Sequence, residues 1–162
     1  DYWGSVVRIN EWQIDRFFQN ILREQFSTLA GKTISLLGFA FKQDTGDTRD
    51  SPAIPLCEKL LGEHANVRVH DPKALENAKL DLKEMQGDIT FFEDVYEATE
   101  GSHALALVTQ WNEYRELDYE RIFKMMAKPA FIFDGRNHLD HEKLFEIGFN
   151  VCPLGKSPLK YI

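Results

Sequence analysis

Two short segments concentrate the charge that could meet a ligand. The first, GFAFKQDTGDTRDSP, runs from Gly38 to Pro52 and carries Lys42 and Arg49 among Asp44, Asp47 and Asp50. A lysine at a strand end and an arginine near the next helix can both face an anion, reinforced by backbone N–H groups and the helix dipole. The aspartates can orient these cations or pair with them. The alternative is a solvated turn whose charges satisfy one another. The second segment, FDGR, ends in Asp134, Gly135 and Arg136. An arginine just after a strand-terminal glycine is placed to meet Lys42 and a ligand at one edge, with a structural Asp134–Arg136 pair as the alternative. Three cations gathered locally in a chain of net charge −7 suit an anionic ligand.

The other reactive residue types carry less. Cys57 sits between Leu56 and Leu60 on an expected helix and Cys152 in an expected strand; neither has an adjacent His or Lys to activate a thiolate, so both read as small buried hydrophobes. His138 and His141 are three apart with no third or fourth ligand patterned nearby, so no metal site is expected. Asp71 ends a strand where dinucleotide-binding domains place a ribose-binding acid, but the following Pro72 favours a strand-terminating turn. Trp111 either stacks on a base or belongs to the core.

These residues must be positioned by alternating strands and helices. TISLLGFAF (33–41) reads as a buried strand, and Ser51-Pro52 opens a helix through Leu61. NVRVHDP is a second strand, followed by a short helix and loop over 74–87. ITFFE, HALALVT, AFIFDGR and NVCPL supply four more strands, with helices expected over DVYEATEG, 119–126 and 141–147. This alternation predicts an α/β fold: a doubly wound, mostly parallel sheet of five to six strands. Ligands in such sheets sit beyond the carboxyl ends of the strands, near the point where strand order reverses. That directs attention to 39–49, 109–114 and 134–138. A dinucleotide loop would need G-x-G-x-x-G after the first strand; here Gly38 is followed by bulky Phe39 and Phe41, which argues against binding a dinucleotide in the usual way.

The first 29 residues read as one long helix ended by Gly31, with Trp3, Val7, Asn10, Ile14, Phe17, Ile21 and Leu22 on one stripe. Val6, Ile9, Trp12 and Phe18 lie outside that stripe, so the helix calls for two partners, of which the rest of the chain supplies one. The sequence opens at Asp1-Tyr2-Trp3 inside the helical pattern. A piece cut within or near a helix shared with another domain is therefore expected.

With 162 residues, 43% hydrophobic and 28% charged, the chain is too apolar and aromatic for disorder and long enough for one sizeable core. Its 26 acidic against 19 basic residues, without a long basic run, disfavour nucleic acid and anionic membrane as partners. No apolar run approaches the ~20 residues of a membrane span. Two distant cysteines without a disulfide framework suit a reducing, cytoplasmic location.

Read together, GFAFKQDTGDTRDSPAI, HDP and ELDYERIFKMMAKPAFIFDGR resemble the C-terminal region of the UDP-glucose 6-dehydrogenases, within the UDP-glucose/GDP-mannose dehydrogenase family. The resemblance covers nearly the whole chain, and the FDGR ending favours the UDP-glucose branch over GDP-mannose or UDP-N-acetylmannosamine relatives. It implies a Rossmann-like domain that binds UDP-glucose or UDP-glucuronate, in an enzyme that oxidises the sugar C6 alcohol to a carboxylate in two NAD-dependent steps. It implies residues 1–30 as the tail of a helix linking to a central dimerisation domain, 31–162 as the UDP-sugar domain, and a homo-oligomeric whole. Phe41, Lys42 and Arg136 would contact the UDP-sugar and Arg49 would reach NAD, itself bound mainly by an N-terminal domain. The family's nucleophilic cysteine, general base and dinucleotide glycines find no counterpart here, so the chain alone is expected not to turn over. A stand-alone, non-catalytic nucleotide-binding or oligomerisation module is the reading from a different class.

Overall fold

The computed structural model describes the backbone of residues 2–162 and the side chains of residues 13–162. Successive residues of each strand point to opposite faces of a single sheet. Its strands are β1 (Thr33–Leu37), β2 (Asn66–His70), β3 (Asp88–Phe92), β4 (Ala104–Leu107), β5 (Phe131–Asp134) and β6 (Asn150–Pro153). All five pairings are parallel, in the order β3-β2-β1-β4-β5-β6. The expected sheet is thus realised with six parallel strands among the described residues, Leu159 adding a single antiparallel bridge to Val151, and its order reverses between β1 and β4.

Helices α1 (Tyr2–Glu24), α2 (Ala53–Gly62) and α3 (Leu75–Leu82) cover one face. Phe17, Phe18, Ile21, Leu56, Leu60 and Ala78 pack there on Ile34, Leu36, Val67, Ala106 and Phe133. Helices α4 (Val95–Thr99), α5 (Tyr119–Met125) and α6 (His141–Ile147), with a 3-10 turn at Asn112–Arg115, cover the other. Val95, Tyr114, Ile122 and Leu144 meet Leu37, Leu105, Leu107 and Ile132 on that side. Burying both faces drives the continuous apolar strands seen in the sequence. Among the described residues no helix is long and apolar enough to cross a membrane.

Two boundaries shift furthest from expectation. The first helix ends at Glu24 rather than near residue 29, because Phe26 and Ser27 turn left-handed (φ 64° and 62°). The Ser27 N–H then donates to the Leu22 carbonyl at 2.9 Å, closing the last turn. Gly31 also has positive φ but belongs to the connection into β1. Ile14, Phe17, Ile21 and Leu22 of the expected stripe do face the core, and Phe18 joins them. The side chains of Trp3, Val6, Val7, Ile9, Asn10 and Trp12 lie outside the described residues. The second boundary is that of β1, which stops at Leu37 rather than Phe41. Gly38 turns with φ +98°, and a Cβ on it would stand 2.5 Å from that of Thr109. Only glycine lets the chain leave the strand so close to the neighbouring loop.

Helix α1 runs against the strands. Phe17 packs at Gly135, just past the carboxyl end of β5, with its ring 3.2 Å from where a Cβ would be. At the other end Glu24 meets Lys160 at 3.0 Å, and Gln25 accepts from Lys32 near the start of β1. From Phe17 back to Tyr2 the helix backbone therefore continues about 20 Å beyond the carboxyl edge of the sheet.

Candidate functional site at the carboxyl edge

The loop between β1 and α2 is held by its neighbours before it presents any charge. Phe39 is fully buried. The N–H groups of Phe39 and Ala40 donate to Asp71 Oδ2 at 2.7 and 2.9 Å, and Thr109 Oγ1 donates to the Ala40 carbonyl at 2.8 Å. Ser51 fastens the far end: its hydroxyl donates to the Phe39 carbonyl at 2.6 Å and accepts from the Ala53 N–H at the start of α2. Between these anchors the chain turns outward. Phe41 is 48% exposed, and Lys42 is exposed beside it. The loop closes on itself where the Phe41 N–H donates to the Asp47 carbonyl at 2.7 Å.

The cations of this edge fall into two kinds. Arg49 lies against Asp47, its Nη2 2.8 Å from Oδ2 and its Nε 3.1 Å from Oδ1. That hydrogen bonding holds the Asp47 carboxyl down at about 2 and raises the Arg49 guanidinium. The expectation of a self-satisfied turn is thus met at Asp47 and Arg49. It holds only weakly at Lys42, whose charge is the least of the influences lowering the Asp47 carboxyl and which makes no ion pair among the described residues. Arg136 likewise has none, so the alternative of an Asp134–Arg136 side-chain pair is overturned. Asp134 is fully buried and turned to backbone: it accepts from the N–H groups of Arg136, His138 and Leu139 at 3.1, 2.8 and 2.8 Å, and from His141 Nε2 at 2.7 Å. The Arg136 side chain is left exposed at the loop's crest.

Register places these cations. Leu37, Leu107 and Asp134 stand side by side at the ends of β1, β4 and β5, and two inter-strand steps separate the outer pair by about 10 Å. Lys42 and Arg136 follow these strand ends by five and two residues, on loops that leave the same carboxyl edge on either side of β4.

Asp71 takes the strand-terminating role. Besides Phe39 and Ala40 it accepts from the N–H groups of Lys73 and Ala74, both at 2.8 Å, and from Trp111 Nε1 at 3.1 Å. Five donors occupy it, so no lone pair is left aimed at a ribose. Trp111 is 5% exposed and belongs to the core. The crevice therefore does not fit NAD, for want both of a glycine loop and of a free acid after β2. Cys57 and Cys152 are buried, and burial pushes each thiol up to about 12. His138 and His141 turn to different partners, the Trp111 carbonyl and Asp134.

Sequence reasoning passed over the loop after β2. Lys73 there adds an exposed ammonium 6.0 Å from the Trp111 ring centroid, and the signal was a cation directly after an Asp-Pro turn. It also passed over His70, whose Nδ1 lies 2.8 Å from the Tyr114 hydroxyl. Burial lowers the His70 pKa, and nothing local in the sequence marks that pair.

Fold and edge together define a class: a doubly wound α/β domain whose carboxyl edge carries exposed side-chain cations in place of a glycine-rich loop. The family profile described as "UDP-glucose/GDP-mannose dehydrogenase family, UDP binding domain" matches residues 35–141, and the chain belongs to that family. It is 44% identical to UDP-glucose 6-dehydrogenase 5 of Oryza sativa subsp. japonica and 42% identical to UDP-glucose 6-dehydrogenase 4 of Arabidopsis thaliana, over 96% of this chain in each case. In both comparisons it spans 36% of the relative's length. Among solved structures, a UDP-glucose dehydrogenase from Pyrobaculum islandicum superposes with a TM-score of 0.70 at 29% identity, over 90% of this chain and 32% of that one. An NDP-N-acetyl-D-galactosaminuronic acid dehydrogenase from Methanosarcina mazei, at 23% identity and a TM-score of 0.72 over 89% of this chain and 29% of that one, shares the fold.

Proposed function

We propose that the chain is the UDP-sugar-binding part of a UDP-glucose 6-dehydrogenase, which oxidises UDP-glucose to UDP-glucuronate with two NAD. The observation that carries this reading is the pair of exposed cations that make no ion pair among the described residues, Lys42 and Arg136, on loops either side of β4. In this reading they grip the diphosphate while Phe41 packs on the sugar nucleotide. Binding energy gathered here orients C6 toward a cysteine and a nicotinamide held by other parts of the whole protein. NAD enters only from outside this crevice, and Arg49, held out at the loop's tip by Asp47, is the residue we assign to reach it. Residues 1–30 serve as the tail of a helix linking to a dimerisation domain, and the run of α1 past the carboxyl edge supports that role. Residues 31–162 form the UDP-sugar domain. The whole protein is a cytoplasmic homo-oligomer with no nucleic-acid partner, and this chain, whose two thiols are buried and protonated at neutral pH, does not turn over alone.

Titration of the complete protein with UDP-glucose and GDP-mannose, without NAD, tests the reading. UDP-glucose should bind selectively, and Lys42→Ala and Arg136→Ala should each weaken it about 10- to 100-fold, as loss of a charge-assisted hydrogen bond does. Preference for GDP-mannose moves the chain to another branch, and unchanged affinity in both variants removes the site assignment.

A further inference from the structure

The two cation loops belong to strands that are not neighbours, yet a run of hydrogen bonds, buried at Asp71 and half-buried at His138, joins them. Asp71 Oδ2 holds the N–H groups of Phe39 and Ala40, immediately before Phe41 and Lys42. The same oxygen accepts the Trp111 indole N–H at 3.1 Å. On its other side Trp111 accepts, through its backbone carbonyl, from His138 Nε2 at 3.0 Å. A carbonyl can only accept, so that ring nitrogen carries the proton. The His138 backbone N–H donates to Asp134 at 2.8 Å, and Asp134 holds the Arg136 N–H at 3.1 Å. A second tie runs in parallel, since the Trp111 N–H donates to the Thr109 carbonyl at 3.0 Å while Thr109 Oγ1 holds Ala40. Trp111 stands at the centre, over the end of β4, packed in the core at 5% exposure. A phenylalanine would fill much of that space, so volume alone does not call for tryptophan; the indole N–H is what reaches Asp71.

We propose that Trp111 and His138 are positioning residues that set the separation of the two loops, so that Lys42 and Arg136 meet one nucleoside-diphosphate sugar at a fixed spacing. This rests on the reading of Lys42 and Arg136 as the ligand's cationic contacts. Each link is a neutral or singly charged hydrogen bond between groups of the protein. Cutting one lets the loops drift apart and weakens only ligands that engage both.

The test is calorimetric titration of UDP-glucose into the complete protein, without NAD, for Trp111→Phe, His138→Leu and His138→Gln, alone and combined with Lys42→Ala. Trp111→Phe and His138→Leu are each expected to weaken binding about three- to ten-fold, the worth of one hydrogen bond. His138→Gln, which keeps a side-chain N–H donor, should restore most of the loss. In the Lys42→Ala background, where the ligand no longer spans both loops, the same substitutions should have little further effect, whereas general destabilisation would add. Should Trp111→Phe fail to fold, the His138 pair decides alone, because that side chain lies on a half-buried loop. Full additivity, or unchanged affinity in Trp111→Phe and His138→Leu while Lys42→Ala and Arg136→Ala weaken binding, overturns the positioning role and leaves the site standing. Unchanged affinity in Lys42→Ala and Arg136→Ala overturns both.

Discussion

Asp71 and Asp134 hold equivalent posts on either side of the strand-order reversal, and they work differently. Each is a buried carboxylate at the carboxyl end of a strand, and each fixes the backbone of a loop that carries a cation. Asp134 draws all its donors from its own loop and the start of the next helix, none more than seven residues away. Asp71 takes two donors from its own turn and three from residues 31, 32 and 40 positions away, on two other loops. One carboxylate shapes a loop. The other assembles three. The difference teaches that an edge built from several strand ends needs both a local and a non-local organiser, and that only the local one fixes its loop without the rest of the sheet.

Isosteric amides separate the two most sharply. Asp71 uses both oxygens, with two donors on Oδ1 and three on Oδ2, so Asn in either orientation sets its NH2 against at least two buried donors. Asp134 has a single donor on Oδ1, so Asn there can turn its NH2 to that side and forfeit one bond. At about 1–3 kcal/mol for each buried donor left unsatisfied, Asp71→Asn should cost about 2–6 kcal/mol and Asp134→Asn about 1–3. Chemical denaturation measures both, and equal losses would erase the distinction.

A smaller effect distinguishes the β2 side of the edge by pH. Burial sets the His70 pKa below its ordinary 6.5, so the unfolded chain takes up the proton first. The stability tied to a neutral His70 is therefore complete above about 6.5 and is lost as pH falls through that value toward the folded one. Melting curves from pH 8 to pH 5 should show a decline that His70→Asn, which still offers a partner to the Tyr114 hydroxyl, makes shallower. An identical decline in that variant would assign the acid sensitivity elsewhere.

The smallest effect belongs to the exposed pair on the β1 loop. Arg49→Ala should leave the melting temperature unmoved, as solvated ion pairs contribute little, while the Asp47 carboxyl rises from about 2 into the usual range when followed by NMR. A marked loss of stability would mean that Arg49, like the residues bound by Asp71, belongs to the scaffold of the edge.

Much of this edge was legible beforehand. Lys42 and Arg136 stand out as cations at the ends of apolar runs, and the boundaries of α6 could be read directly. What misled was apolarity without geometry. Phe39 and Phe41 extend the first strand in the sequence pattern, yet Gly38 turns the chain so that one phenylalanine is buried and the other exposed. Phe26 and Ser27 end α1 in left-handed turns that no glycine announces. The Asp47–Arg49 pair and the open Lys42 could not be told apart from composition, because which aspartate reaches which cation depends on the fold of the loop.

The sequence by itself determined the alternation of strands and helices, the two-faced burial, and the helix caps at Asp94, Asp118 and Asp140, whose partners lie two or three residues away. Periodicity and short-range turn chemistry suffice there, because the partners are already close in the unfolded chain. Tertiary structure alone decided the strand order, the placing of β4 between the two cation loops, and the contacts of Asp71 with Phe39, Ala40 and Trp111. Those partners become neighbours only when parallel strands pair in register. The local pattern of residues carries no record of which strand lies beside which.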